Sequence, residues 1–296
     1  MSRAETWKVL IALALQNKWE ARQWDVKAAY LNAPLQHDVY VQDINESGTT
    51  EYWKLHKALY GLKQAGHEWY NTMIEIMKQA GLTQCIGDPG CFKNNKAIIS
   101  THVDDMLACG PNEELNKIEQ AIEQKVELDK LGLPTKLLGM ELSWANDKKT
   151  VKLTQTNAIE RLVTEHGITN EVPTRSLLLQ PKSYKAEGKK LQPAEATKYQ
   201  SLVGSLLYIN RCTRPEISIH INLLGRRTSD ASHRNLQTAL QLLRYLASTK
   251  TESIPLAQNA TGRIVAYAYA SYGREGAKSQ SRNLLTLNGN LIMWSS

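Results

Sequence analysis

The sequence predicts an α/β (α+β) chain divided into two or more domains, and three observations carry that prediction. Short apolar and β-branched runs, such as Gln23–Val26 and Ala97–Ile99, alternate with segments of helical period, such as Glu5–Gln16 and Asn112–Leu128. At 296 residues the chain is long enough to bury a real core. With 42% hydrophobic and 22% charged residues, its composition is that of a soluble globular protein. The longest apolar run, Val9 to Leu15, is too short to span a bilayer, and no cleavable signal peptide follows Met1. No membrane association and no secretion are expected.

Cysteine and charge narrow the class further. Cys85, Cys91, Cys109 and Cys212 show no CxxC spacing, which argues against structural zinc and fits a reducing compartment. Residues 1–150 hold 17 Lys+Arg against 20 Asp+Glu, a balance of −3, and residues 151–296 hold 19 against 9, a balance of +10. An acidic half joined to a basic one suits a polyanionic partner, although basic halves also serve solubility alone.

In chain order, Glu5–Gln16 has the apolar density of a packed helix. A short strand through Gln23–Val26 places Asp25 near its C-terminal end. His37–Gln42 alternates as a surface strand, and 43–51 reads as an exposed loop. A helix follows through about Gln79, with Trp69, Met73 and Met77 on one core-facing stripe. The stretch Ser100-Thr101-His102-Val103-Asp104-Asp105-Met106-Leu107 then sets two adjacent carboxylates between two strand-like runs, at the tip of a hairpin. Aspartate is a poor strand former, so the pair marks a turn or a site. Hard carboxylate oxygens suit magnesium, but two aspartates alone are more often a solvated turn, and the context decides between the readings.

Asn112 to Leu128 carries Leu115, Ile118, Ile122 and Val126 on one stripe. Leu138–Leu142 reads as a hairpin, and 150–172 as a short strand followed by a helix over Ala158–Glu165. Residues 180–198, with Lys182, Lys185, Lys189 and Lys190, lack periodicity and read as a linker. Tyr199–Asn210, Ile217–Leu224 and Leu236–Ala247 read as three apolar helices flanked by Arg211, Arg214, Arg226 and Arg227. These arginines are candidate phosphate contacts, because the guanidinium forms bidentate pairs.

WDVKAAYLNAPL, LYGLKQAGHEWY and HVDDMLACG, in this order, resemble the reverse transcriptase of copia-type retrotransposons. SLVGSLLYINRCTRPEISIHIN and HRNLQTALQLLRYL resemble the segment that follows the polymerase in the same polyproteins, and AYAYASYGREGAKSQSRNLLTLNGNLI resembles the start of their RNase H domain. The resemblance implies a right-hand polymerase palm with partial fingers over 1–145, a helical thumb and connection over 146–258, and an incomplete RNase H-like β-segment over 259–296. It implies an RNA-directed DNA polymerase that takes an RNA or DNA template with its primer and deoxynucleoside triphosphates. Asp25, Asp104 and Asp105 match the catalytic, metal-holding carboxylates. Two magnesium ions, with manganese as a substitute, would be clamped about 3.5–4 Å apart for in-line displacement.

Further roles follow from the same resemblance. Tyr30 matches the aromatic residue beneath the incoming sugar, where it would exclude a 2′-hydroxyl; the same residue also reads as a core tyrosine. Gln64 matches a residue near the nucleotide and template, and also reads as a solvated helix start. Gly139 and Met140 match the hairpin that grips the primer end, and equally fit a plain turn. The location implied is cytoplasmic, in a virus-like particle, or nuclear.

The departures from the family pattern set further expectations. His102 stands where an aromatic residue is usual, and Gly66-His67 replaces Pro-Arg. Tyr269 stands where the RNase H domain has its first metal-binding aspartate, and Arg282 replaces a glycine. No RNase H activity is expected. The chain reads as truncated at both ends, without upstream fingers strands, and its last segment is expected to expose a sheet edge through which another chain could associate. A catalytically inactive retroelement remnant that keeps the fold and nucleic-acid affinity is the alternative reading.

Overall fold

The computed structural model describes residues 2–44, 47–168, 184, 188–259, 261–272 and 279–296. The chain forms two compact units, Met1–Pro134 and Thr135–Ser296.

The first unit is built on a six-stranded antiparallel sheet. Its strands are β1 (Glu20–Val26), β4 (Thr83–Gln84), β5 (Cys91–Lys93), β6 (Ile98–His102), β7 (Asp105–Gly110) and β8 (Leu128–Gly132), in the order β4-β5-β6-β7-β1-β8. A separate hairpin, β2 (Pro34–Ile44) with β3 (Thr50–Lys57), narrows the loop expected over 43–51, because the ladder continues to the Ile44–Thr50 pair. Helices α1 (Ala4–Asn17), α2 (Ala65–Gln79) and α3 (Asn112–Glu123) complete the unit. Trp69, Met73 and Met77 of α2 are all buried, in one core with Trp24, Phe92, Met106, Leu115 and Ile118. Burial of such side chains contributes about 1.5–3 kcal/mol each. Helix α3 ends before Leu128 because the chain must turn to pair β8 with β1, yet Val126 stays in the same core.

The second unit contains a four-stranded sheet, β12-β11-β10-β9, made of β9 (Lys136–Leu137), β10 (Met140–Trp144), β11 (Thr150–Thr154) and β12 (Ile254–Ala257). Helices α4 (Thr156–Glu165), α5 (Pro193–Cys212), α6 (Ser218–Gly225) and α7 (His233–Ser248) enclose a second apolar core centred on Tyr199, Leu206, Leu242 and Leu246. The described part of the expected linker departs from expectation. Pro193 opens α5, with Gln192 and Glu195 closing a reciprocal capping box, and Tyr184 is buried. Lys182 and Lys185 lie outside the described residues.

A three-stranded antiparallel sheet, β13 (Ile264–Ser271), β14 (Gln280–Leu287) and β15 (Asn290–Ser295), ends the unit. The Trp294 indole donates to the Asn210 carbonyl at 2.9 Å, and Asn290 exchanges two hydrogen bonds with Ala257, so this sheet is tied to α5 and β12. Its strand β13 is an exposed edge. The units meet at Pro134, ahead of the sequence-based boundary at 145, and residues 146–258 and 259–296 share one unit.

Candidate active site

Three adjacent strands of the first unit bring the carboxylates together. Asp25, near the end of β1, lies directly across from Asp105 at the start of β7. On its other side Asp25 faces Asp129 of β8. Residues opposite one another in an antiparallel sheet share a face, so Asp105, Asp25 and Asp129 form a row across three strands. The backbone fixes Asp104 beside them, since the Val26 amide donates to the Asp104 carbonyl at 2.9 Å.

The turn holding Asp104 is tight and strained. His102 pairs with Asp105, which leaves Val103 and Asp104 as the two turn residues. Val103 has φ +61°, a region that costs a β-branched residue about 1–2 kcal/mol and that two-residue hairpins usually give to glycine. Trp69 of α2 braces it by donating its indole N–H to the Val103 carbonyl at 2.7 Å. The Gln23 amide donates to Asp105 at 3.3 Å. His102 directs Nδ1 at the Ser2 carbonyl, 3.2 Å away, so the ring is tied to the N-terminal segment.

Electrostatics follow from this crowding. Burial, reinforced by Asp104, Asp105 and Asp129 in turn, raises the Asp25 carboxyl above its ordinary range. Asp129 is compensated by Lys27, whose ammonium lies 3.3 Å from it and 2.5 Å from Glu127. Magnesium accepts hard oxygen ligands and commonly rests on one or two carboxylates plus substrate phosphates, not on an all-protein cage. Asp25, Asp104 and Asp105 offer that donor set. Among the described residues no group of three or more His, Cys, Asp or Glu side chains is arranged to hold a metal ion on its own.

Tyr30 lies on the single 3-10 turn (Ala29–Asn32) that follows β1. Its ring packs on Tyr60 with centroids 4.5 Å apart, and an added Cβ at Gly66 would lie 3.9 Å from its hydroxyl. Tyr30, Gly66, Trp69, Pro89, Thr101 and Val103 border a mostly apolar cavity of about 400 Å³. Gln64 is the half-buried residue preceding α2, and its carbonyl receives the first helical amides. Sequence reasoning missed Tyr60 and Asp129. Burial, then Asp104, Tyr30 and Asp25, raises the Tyr60 hydroxyl, which marks it as a neighbour of the carboxylates.

The remaining candidates lie in the second unit. Leu138 and Gly139, both at positive φ, form the turn between β9 and β10. The Tyr208 hydroxyl donates to the Leu138 carbonyl at 2.5 Å and fills the space a Cβ on Gly139 would need. Met140 is 2% exposed, so its side chain belongs to the core, which leaves any contact with a primer to the backbone of this turn. Arg214 is also 2% exposed and is spent internally, on Glu216 at 2.6 Å, on the Thr249 carbonyl and hydroxyl at 3.0 and 2.6 Å, and on the Tyr245 ring. It holds the fold and is not free for phosphate. Arg227 pairs with Asp230 at 3.0 Å, while Arg211 and Arg226 are exposed. Tyr269 of β13 faces Arg282 of β14. Strands β13–β15 contain no carboxylate.

Residues 1–179 match the family described as "Reverse transcriptase (RNA-dependent DNA polymerase)". The chain is 27% identical over 98% of its length to the retrovirus-related Pol polyprotein from transposon TNT 1-94 of Nicotiana tabacum, of which it spans 23%. It is 29% identical over 98% of its length to the corresponding polyprotein from transposon RE1 of Arabidopsis thaliana, of which it spans 20%. A Saccharomyces cerevisiae protein from transposon Ty5-1 is 26% identical over 92% of the chain, which spans 91% of that protein. Among solved structures, the foamy viral protease-reverse transcriptase in complex with an RNA/DNA hybrid aligns with 93% of this chain and 33% of its own. The identity is 9% and the TM-score 0.47, below the level that establishes a shared fold.

Proposed function

Because the chain belongs to the reverse transcriptase (RNA-dependent DNA polymerase) family, as a copia-type retrotransposon Pol region, we propose that its first unit is a polymerase palm that extends a primer on an RNA or DNA template. The observation that carries this reading is the pairing of Asp25 with Asp105 across two strands, with Asp104 fixed beside them at the β6–β7 turn.

In this reading Asp25, Asp104 and Asp105 hold two divalent ions. Bound magnesium, or manganese in its place, would supply activation of the primer 3′-hydroxyl and charge neutralisation at the triphosphate. The protein's own contribution is geometric. The Val26–Asp104 backbone bond and the Trp69–Val103 bond hold the turn rigid, so the carboxylates need little reorganisation when a nucleotide arrives. Tyr30, buttressed by Tyr60, would sit under the incoming sugar and clash with a 2′-hydroxyl, and Gln64 would lie beside the nucleotide and template. The Gly139 backbone would approach the primer end. Arg211, Arg226 and Arg227 would contact phosphates, and the helical part of the second unit would serve as thumb and connection. The sequence that forms β13–β15 resembles the start of an RNase H domain, but with Tyr269 at the aspartate position and no carboxylate on these strands it would not cleave RNA. The protein would work in the cytoplasm, in a virus-like particle, or in the nucleus.

The test is primer extension on poly-A with oligo-dT, dTTP and magnesium, comparing the protein with an Asp104→Asn/Asp105→Asn variant. Extension that disappears in the variant and on chelation supports the reading. If neither protein extends the primer while both shift a labelled duplex, the chain is a retroelement remnant that keeps its fold and its affinity.

A further inference from the structure

The four cysteines look unrelated in the sequence, but folding places two of them together. In the β4–β5 hairpin Thr83 faces Lys93 and Gln84 faces Phe92, so the next pair in register is Cys85 and Cys91. The Cys85 amide donates to the Cys91 carbonyl at 2.8 Å, and the two sulfurs are 3.6 Å apart. Residues opposite each other in such a ladder have Cα atoms about 4.5–5.5 Å apart, within the span a disulfide bridges. Bond formation needs the sulfurs to approach by about 1.5 Å, a side-chain adjustment. Cys85 is half-exposed and Cys91 is buried.

We infer that Cys85 and Cys91 form an oxidation site, with Cys85 as the attacking thiol and Cys91 as the resolving thiol, that closes to a reversible disulfide. A hydroperoxide is the oxidant. The Cys85 sulfur attacks a peroxide oxygen, the O–O bond breaks, and an alcohol (water, for hydrogen peroxide) leaves with one proton, converting Cys85 to a sulfenic acid. The Cys91 sulfur then displaces the sulfenic oxygen as water. In sum, two thiols lose two protons and two electrons, and the peroxide is reduced to alcohol plus water. Burial, with the adjoining Cys85 sulfur, pushes the Cys91 thiol up, which makes it the poorer first attacker of the two, and its contact with the Cys85 sulfur is what places it for the second step.

The site bears on the fold around the catalytic hairpin. The segment between the two cysteines carries Asp88, which accepts hydrogen bonds from Ser2, Arg3, Thr6 and Gly90. It also carries Gly90, whose carbonyl receives the Thr101 amide of β6 at 2.7 Å. Closing the disulfide would lock the loop that braces the strand leading to Val103 and Asp104. This inference does not depend on polymerase activity.

The experiment titrates the full chain with hydrogen peroxide, alkylates the remaining thiols after unfolding, and maps peptides by mass spectrometry. The expected product is a Cys85–Cys91 link about 2 Da lighter than the two thiols. It should appear before any change at Cys109 or Cys212, be reversed by dithiothreitol and be absent in Cys85→Ser. Accumulation of sulfinic or sulfonic acid at Cys85 with Cys91 still alkylatable would overturn the inference. So would a link to Cys109 or Cys212, or no reaction at Cys85 while the chain stays folded.

Discussion

Replacing Gly139 with alanine isolates how the β9–β10 turn is built. Gly139 has φ +72°, and an alanine held there costs about 1–2 kcal/mol in backbone strain. Its methyl group would also overlap the Tyr208 hydroxyl and break that group's bond to the Leu138 carbonyl. Such a bond contributes about 0.5–1.5 kcal/mol, and here the low end applies because Tyr208 is 42% exposed. The sum is about 1.5–2.5 kcal/mol for Gly139→Ala and about 0.5 kcal/mol for Tyr208→Phe. The phenylalanine removes the atom that the new methyl strikes, so the double variant should be less destabilised than the two single costs added, by about 0.5–1 kcal/mol. Urea titration read by hydrogen-exchange mass spectrometry on peptides within 135–165 measures all three variants. A Gly139→Ala cost below about 0.5 kcal/mol, or strict additivity, would refute this account of the turn.

Other perturbations test separate parts of the molecule. Burial alone would raise the Asp88 carboxyl, but hydrogen bonds from Thr6, Arg3, Gly90 and Ser2 outweigh it and hold the group below its ordinary 3.8. Its stabilisation is therefore complete above 3.8 and lost as pH falls through the lowered folded value. Asp88→Asn should cost about 2–3 kcal/mol at pH 7 and much less near pH 2, and a pH-independent cost in thermal melts would contradict this. Asp25 behaves oppositely. Its raised carboxyl penalises the metal-free fold as pH rises through the folded value, so Asp25→Asn should raise the melting midpoint at pH 7 and lose that advantage at pH 3. An unchanged or lowered midpoint at pH 7 would sink that reading. Arg214→Ala leaves the Thr249 carbonyl and Glu216 without their partner and should cost about 3 kcal/mol; a loss of duplex affinity with no loss of stability would instead restore a phosphate role.

Much of the site was legible because it depends on local pattern. A carboxylate pair between two apolar runs has few structural options other than a hairpin tip, and the Trp69-Met73-Met77 spacing can bury only one face of a helix. What escaped the sequence depends on register and long-range packing. Asp129 joins Asp25 only because β8 pairs with β1 at one offset, and Tyr60 reaches Tyr30 only after the chain folds back. Arg214 looked like a surface cation because an arginine after a helix carries no local mark of burial. Its partners Thr249 and Tyr245 are more than thirty positions away in sequence. Cys85 and Cys91 lack a recognisable spacing, and only the β4–β5 ladder makes them neighbours. The capping box at Gln192–Glu195 was readable, but it was masked by the lysine-rich stretch before it.

Asp25 and the Asp104–Asp105 turn are proposed to act as one metal-dependent nucleotidyl-transfer site. The measurement that tests this most directly is single-nucleotide incorporation into a primer–template, with duplex affinity determined on the same samples of the unaltered protein and of Asp25→Asn. The expected result is incorporation by the unaltered protein and a loss of at least about a hundredfold in the variant, with duplex affinity within about twofold. Incorporation that survives in Asp25→Asn, or an unaltered protein that binds the duplex and adds no nucleotide with magnesium or manganese, would contradict it.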